Sequence, residues 1–215
     1  MPSGKTPIQR NSPVPEDFVV LAKRYKPDAI DIILGYVWQG FDMLISECFD
    51  VSQEDDHIED EITYAAYCKI QDISALSPFQ VILHPPEREQ KATKGSMPAS
   101  DLGFRLRGGN VRSQFSIEAK VIRTDGDVSK YVREINENYL TGRYSTFSSE
   151  AAMLGYLLQG NPLKTFQAIS KSLNCQLKTP TVFQDRNHRI SGHVRPTTEK
   201  KNFTCHHMII LFSKN

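Results

Sequence analysis

Residues 101–122 read DLGFRLRGGNVRSQFSIEAKVI, two alternating apolar and polar runs broken at Gly108-Gly109-Asn110. A period of two sends alternate side chains to opposite faces of a strand. A two-residue turn at Gly109-Asn110, where φ > 0 is needed, joins strands 101–107 and 112–122 into a hairpin. With that turn Leu102 faces Ile117, Phe104 faces Phe115 and Leu106 faces Ser113, an apolar face continued by Ala119 and Val121. Asp101, Arg105, Arg107, Arg112, Gln114, Ser116, Glu118 and Lys120 share the other face. A slip of one residue would turn the apolar set outward, so the register is strongly specified.

In this register Asp101 stands across from Glu118, with Cβ atoms about 4.5–5.5 Å apart. Opposed carboxylates repel unless a positive charge lies between them. Hard divalent cations such as Mg²⁺ or Mn²⁺ take carboxylate oxygens plus waters. Lys120, two residues along on the same face, would then lie beside such a water, to position it, help deprotonate it or balance developing charge. Acid-x-Lys occurs at Glu89, Glu118 and Glu199, but only at Glu118 is it embedded in a strand with an acid opposite. A plain surface ion pair is the competing reading.

Outward from the hairpin, apolar residues recur at helical spacing over 18–25 and 29–49, and an acidic-headed helix runs from about Glu54 to Ile70, its acids suiting the helix dipole. Residues 79–84 form a short buried strand and 85–100 a loop. Downstream, Asp127 caps a helix with a stripe of Val128, Tyr131, Val132, Ile135 and Tyr139, closed by Gly142. A second helix is expected from Ser148 or Ser149 to Gly160, and a third from Asn161-Pro162 to about Leu173. Strands close the chain at about 179–184 and 203–213. Residues 186–201 carry Arg186, Arg189, Arg195, Lys200 and Lys201 against one acid, Glu199, and read as a basic loop able to reach phosphates. Arg143, just past a helix end, either meets the carbonyl dipoles or reaches a phosphate.

The chain's 215 residues suit one well-filled core, and its 39% hydrophobic and 24% charged residues are ordinary for a globular protein. A net charge of +1 gives no global pull toward nucleic acid, so binding would need a local patch. No run of 18 apolar residues and no apolar leader segment is present, so neither a membrane span nor a signal peptide is expected. Cys48, Cys68, Cys175 and Cys205 are too dispersed for a C-x-x-C site and suit a reduced, cytoplasmic chain. None of the six histidines reads as a metal ligand: His206 and His207 fall on opposite faces of one strand, and His188 and His193 lack a partner at zinc spacing.

An aspartate, a hairpin turn and then apolar-Glu-x-Lys resembles the core of the PD-(D/E)xK, or restriction-endonuclease-like, nucleases. The resemblance spans roughly 55–215, is strongest over 101–160, and is to small bacterial members, some of them defence-associated. Ser100 stands where the motif has proline. The resemblance implies an α/β fold with a central mixed sheet flanked by helices and a nuclease-like domain at 51–215; ahead of that core, the proline-bearing, small polar residues 1–15 read as a flexible arm and 16–50 as a helical N-terminal extension. It implies Asp101 and Glu118 as ligands of Mg²⁺ (or Mn²⁺) and Lys120 as the catalytic lysine. The family often adds a glutamate from the helix before the sheet, for which Glu61 is the candidate and Glu59 the substitute. The activity implied is metal-dependent phosphodiester hydrolysis of nucleic acid, DNA foremost, in an anti-phage or related setting, with a partner protein or a second copy as companion. The alternative is a non-catalytic binding or assembly subunit that keeps the fold.

Overall fold

The computed structural model describes residues 15–49, 51, 57–87, 97–196 and 201–212. The expected arm at 1–15 lies almost wholly outside the described residues, as do Lys200, Glu89 and Glu199. Helices α1 (Phe18–Tyr25), α2 (Ala29–Ser46) and α3 (Ile58–Ile73) precede strands β1 (Phe79–Leu83), β2 (Leu102–Leu106) and β3 (Phe115–Ile122). Helix α4 (Ser129–Glu134), which runs on as a π-helical turn over Ile135–Tyr139, leads to β4 (Glu150–Leu157); α5 (Pro162–Leu173), β5 (His188–Val194) and β6 (Asn202–Leu211) follow. The six strands make one mixed sheet in the order β1-β2-β3-β4-β6-β5. β1–β2, β2–β3 and β5–β6 are antiparallel, while β3–β4 and β4–β6 are parallel.

Helices cover both faces. Phe18, Ile33, Val37, Phe41, Ile62 and Ile70 pack with Leu102, Phe104, Phe115, Ile117 and Ala119 on one side. Tyr131, Ile135, Tyr139, Phe166 and Ile169 pack with Ile122, Met153, Leu157 and Ile209 on the other. Residues 18–44 of the expected extension are therefore part of the main core rather than an appendage. Helix α2 has the length and composition to cross a membrane, but half of it is buried in the protein.

The hairpin register is the expected one, with Leu102 opposite Ile117 and Phe104 opposite Phe115. The turn is not. Paired strands stop at Phe104 and Phe115, and 107–114 forms a longer connection with turns closed by Gly109 N–H to Leu106 O at 3.0 Å and Ser113 N–H to Asn110 O at 3.0 Å. Core packing of the four apolar side chains fixes the register whatever the length of the turn.

Three other expectations are corrected. Residues 150–157 are a strand, not a helix: β4 lies between two parallel neighbours and is buried on both faces, so its sequence EAAMLGYL shows no alternation. Tertiary position overrides the helix preference of Ala, Met and Leu. Residues 179–184 form no strand; Pro180 offers no N–H, and the pairing with the sheet stops at the isolated bridge of Lys178, just before the segment, to Ile190. The strand beside β6 is instead β5, drawn from the expected basic loop; cations on an edge strand discourage pairing with other chains. The helix expected from Asp127 begins at Ser129 with no side-chain cap, although its apolar stripe is buried as expected. Helix α5 is as read, with Asn161 accepting from the Leu163 N–H at 2.8 Å and Pro162 in the first turn.

Gly155 faces Lys120 across the β3–β4 ladder. A Cβ there would come within 2.6 Å of Ile209 Cδ1 and 2.8 Å of Ile122 Cδ1, so the residue leaves room for the side chains of the neighbouring strands beneath Tyr131 of α4. Gly155→Ala is expected to cost about 1–3 kcal/mol by overpacking, read as a lower urea midpoint at unchanged m-value.

Candidate active site

β3 outruns β2. β2 begins at Leu102 opposite Ile117, so the N–H groups of Ala119 and Val121 lie beyond the last paired residue of that neighbour. Two carboxylates continue the ladder: Asp101 Oδ2 accepts from Ala119 N–H at 2.7 Å, and Glu59 Oε2 from Val121 N–H at 2.9 Å. Asp101 is the residue just before β2, and Glu59 lies in the acidic first turn of α3.

Lys120 sits between them. Its Nζ donates to Glu59 Oε1 at 2.8 Å, Glu118 Oε1 at 3.0 Å and Ala119 O at 2.6 Å, and lies 3.9 Å from Asp101 Oδ2. One positive charge thus reaches both Asp101 and Glu118. Glu118 is nearly fully buried, and its Oε2 has no hydrogen-bond partner. Three carboxylates surround one ammonium, so with all groups ionised the cluster carries two uncompensated negative charges. Burial, and then the charge of Asp101, push the Glu118 carboxyl well above the usual range. Burial raises Asp101 as well, although Lys120 and the Ala119 N–H oppose it. Burial alone would lower the Lys120 ammonium; Glu118, Asp101 and Glu59 outweigh it and hold the group charged.

The predicted triad Asp101, Glu118 and Lys120 therefore comes together, but Glu61 does not join it. Glu61 is exposed, and Glu59, the named substitute, supplies the helix carboxylate. Sequence reasoning missed the wall of the site contributed by α4 and the segment after it. Glu134 adds to the upward push on Glu118, and Tyr144 is raised by burial and then by Glu118, Glu134 and Asp101.

The predicted phosphate contacts mostly have other occupations. Arg186 makes a two-pronged pair with Asp42 at 2.7 and 2.6 Å over the Trp38 ring. Arg189 donates to His188 O at 2.6 Å and lies over Phe166. Arg195 is fully buried on the Phe203 ring. Arg189 lies in the edge strand β5 and Arg186 and Arg195 flank it, and all three side chains fold back onto the protein. Lys201 and Arg143 are exposed. Three of the six histidines form two separate buried chains: His188 with His206 and Glu150, and His207 with Tyr131 and Ser191.

Among the described residues no group of three or more His, Cys, Asp or Glu side chains is arranged to share one metal ion. The pair Asp101–Glu118 is the donor set Mg²⁺ uses when it keeps its waters and takes further oxygens from a phosphate. The orphaned, buried Glu118 Oε2 and the excess negative charge fit such a cation. Comparison with family models, curated proteins and solved structures gives no match.

Proposed function

We propose that this protein is a metal-dependent phosphodiesterase of the restriction-endonuclease-like kind, acting on nucleic acid and on DNA foremost. The observation that carries the reading is that a single charge, the Lys120 ammonium, lies within 4 Å of both Asp101 and Glu118 while Glu118 Oε2 stays buried without a donor. The order of elements supports it: a helix carrying a carboxylate, an antiparallel meander with Asp at the head of its second strand and Glu-x-Lys on its third, then a helix leading to a parallel strand.

Asp101 and Glu118 would hold Mg²⁺ or Mn²⁺, which when bound polarises a phosphoryl oxygen and acidifies water. The chain's own residues do the rest. Asp101 and Glu59, fixed on the β3 backbone, hold the cluster rigid, and Lys120 supplies a donor and a positive charge where negative charge builds up.

A binding or assembly subunit that keeps the fold is the second reading. The near-neutral net charge and the internal engagement of Arg186, Arg189 and Arg195 favour it, and under that reading a partner protein or a second copy would supply the nucleic-acid grip.

The test of the metal pair is thermal. Mn²⁺ at about 100 times its Kd is expected to stabilise the wild type by about 2.7 kcal/mol. Glu118→Ala should leave metal-free stability nearly unchanged, because it removes a desolvated carboxylate that repels Asp101 while Lys120 keeps Glu59. The same variant should lose the response to Mn²⁺. Equal stabilisation of variant and wild type would make the pair structural.

A further inference from the structure

The segment between the π-helical turn and β4 is held by an unusual clasp. Ser145 has φ of 52°, a left-handed conformation that non-glycine residues keep only when their surroundings impose it. Its N–H donates to Glu87 Oε1 at 3.1 Å, and its carbonyl accepts from Arg195 Nη1 at 3.0 Å, which also reaches Ser148 O at 3.2 Å. Both side chains are buried, and Arg195 keeps Nε and Nη2 without partners. Burying a carboxyl group and an incompletely satisfied guanidinium against this loop is costly. Glu87 Oε1 also accepts from Ser116 Oγ at 2.8 Å, and Ser116 lies two residues before Glu118 on the same face of β3. The clasp is thus keyed to the strand that carries the acids.

What the clasp presents is Arg143. It is exposed, and among the described residues its guanidinium makes no hydrogen bond, ion pair or ring contact, unlike Arg186, Arg189 and Arg195. Its neighbour Tyr144 donates its N–H to Asn138 O at 2.9 Å and packs edge-on against Tyr139 at 5.8 Å, which fixes the segment against the turn that follows α4. Arg143 lies two residues before Ser145, which Glu87 ties to Ser116 on the face of β3 that carries Glu118, so the clasp brings Arg143 close to the acidic strand.

We propose that residues 141–149 form the substrate grip of this site, with Arg143 contacting the phosphodiester backbone and the buried Glu87 and Arg195 acting as positioning residues that hold Arg143 in place. This rests on the phosphodiesterase reading. An acidic site that must approach a polyanion needs a cation at its edge, and a guanidinium is suited to a phosphate's paired oxygens.

The experiment is a fluorescence-anisotropy titration of a short DNA duplex in EDTA, where it is not cut, at several salt concentrations. Arg143→Ala should weaken binding about three- to tenfold and reduce the log–log salt slope by about 0.9, the loss of one phosphate contact. Arg143→Lys should keep the slope. Glu87→Ala should reproduce the loss and add little on top of Arg143→Ala, whereas Glu87→Gln, which keeps a carbonyl acceptor for Ser145, should bind like the wild type. If Glu87→Ala does not fold, the two Arg143 variants decide by themselves. A wild type that binds and cuts DNA while Arg143→Ala binds with unchanged affinity and slope overturns this inference alone. Fully additive losses from Glu87→Ala and Arg143→Ala overturn the positioning role, and a wild type that neither binds nor cuts overturns both this inference and the phosphodiesterase reading.

Discussion

Lys120→Ala is expected to lower the rate of DNA cleavage by about 10²-fold or more at saturating metal and substrate, the range for a positioned electrostatic or acid–base group. The Lys120 ammonium lies 3.0 Å from Glu118 and 2.8 Å from Glu59, anchored rather than mobile, so its charge is already in place when negative charge develops on the reacting phosphate. A group that acts mainly in the transition state changes the rate and leaves ground-state affinity nearly untouched. Duplex affinity should therefore stay within about twofold of wild type, since the Lys120 ammonium is largely buried and paired with Glu59 and Glu118 rather than offered to a backbone phosphate. The same change strips the counter-charge from three carboxylates, so the metal-free variant should melt lower and recover part of the loss when Mn²⁺ is added. Cleavage at the wild-type rate would remove Lys120 from the chemistry.

The second large effect is on acid stability. His207 is fully buried between Tyr131 Oη at 3.1 Å and Ser191 Oγ at 2.7 Å, and burial, followed by His193, His206 and His188 nearby, lowers it to about 3. Burial and His206 lower His188 to about 3 as well. The unfolded chain takes up these protons near pH 6.5 and the folded one only near 3, so the stabilisation is complete above about 6.5 and is lost as pH falls through that window. Each histidine contributes a slope of about 1.4 kcal/mol per pH unit within it. Glu118, Asp101 and Glu87, all raised, act in the opposite sense, so the clean reading is a difference between proteins. His207→Gln should be markedly less stable than wild type at neutral pH, and the gap in denaturation free energy should close as pH approaches about 4. A gap that stays constant with pH would mean that His207 carries no such shift.

How much of this was legible follows from what each segment had to satisfy. The β2–β3 register could be read because Leu102, Phe104, Phe115 and Ile117 must all face the core, a constraint that a different turn does not disturb. β4 could not be read, because a central strand covered on both faces loses the alternation by which strands are recognised. β5 was hidden by the cations within and beside it, which describe an edge as well as a loop. The choice between Glu59 and Glu61 was available in the periodicity of α3: Glu59 stands three, four and seven residues before Ile62, Thr63 and Ala66, all buried, whereas Glu61 lines up with exposed Tyr64. The fate of Arg195 was not available, since its partners, Ser145, Ser148 and Phe203, come from a loop and a strand that only the folded sheet brings together.

The most direct measurement is a plasmid incubation with purified wild-type protein and Glu118→Ala, each with Mg²⁺, with Mn²⁺ and with EDTA. Nicking or linearisation by the wild type that requires the metal, is blocked by EDTA and is lost in Glu118→Ala is the predicted result. No cleavage by the wild type with either metal, or equal cleavage by wild type and Glu118→Ala, would contradict a phosphodiesterase built on Asp101, Glu118 and Lys120.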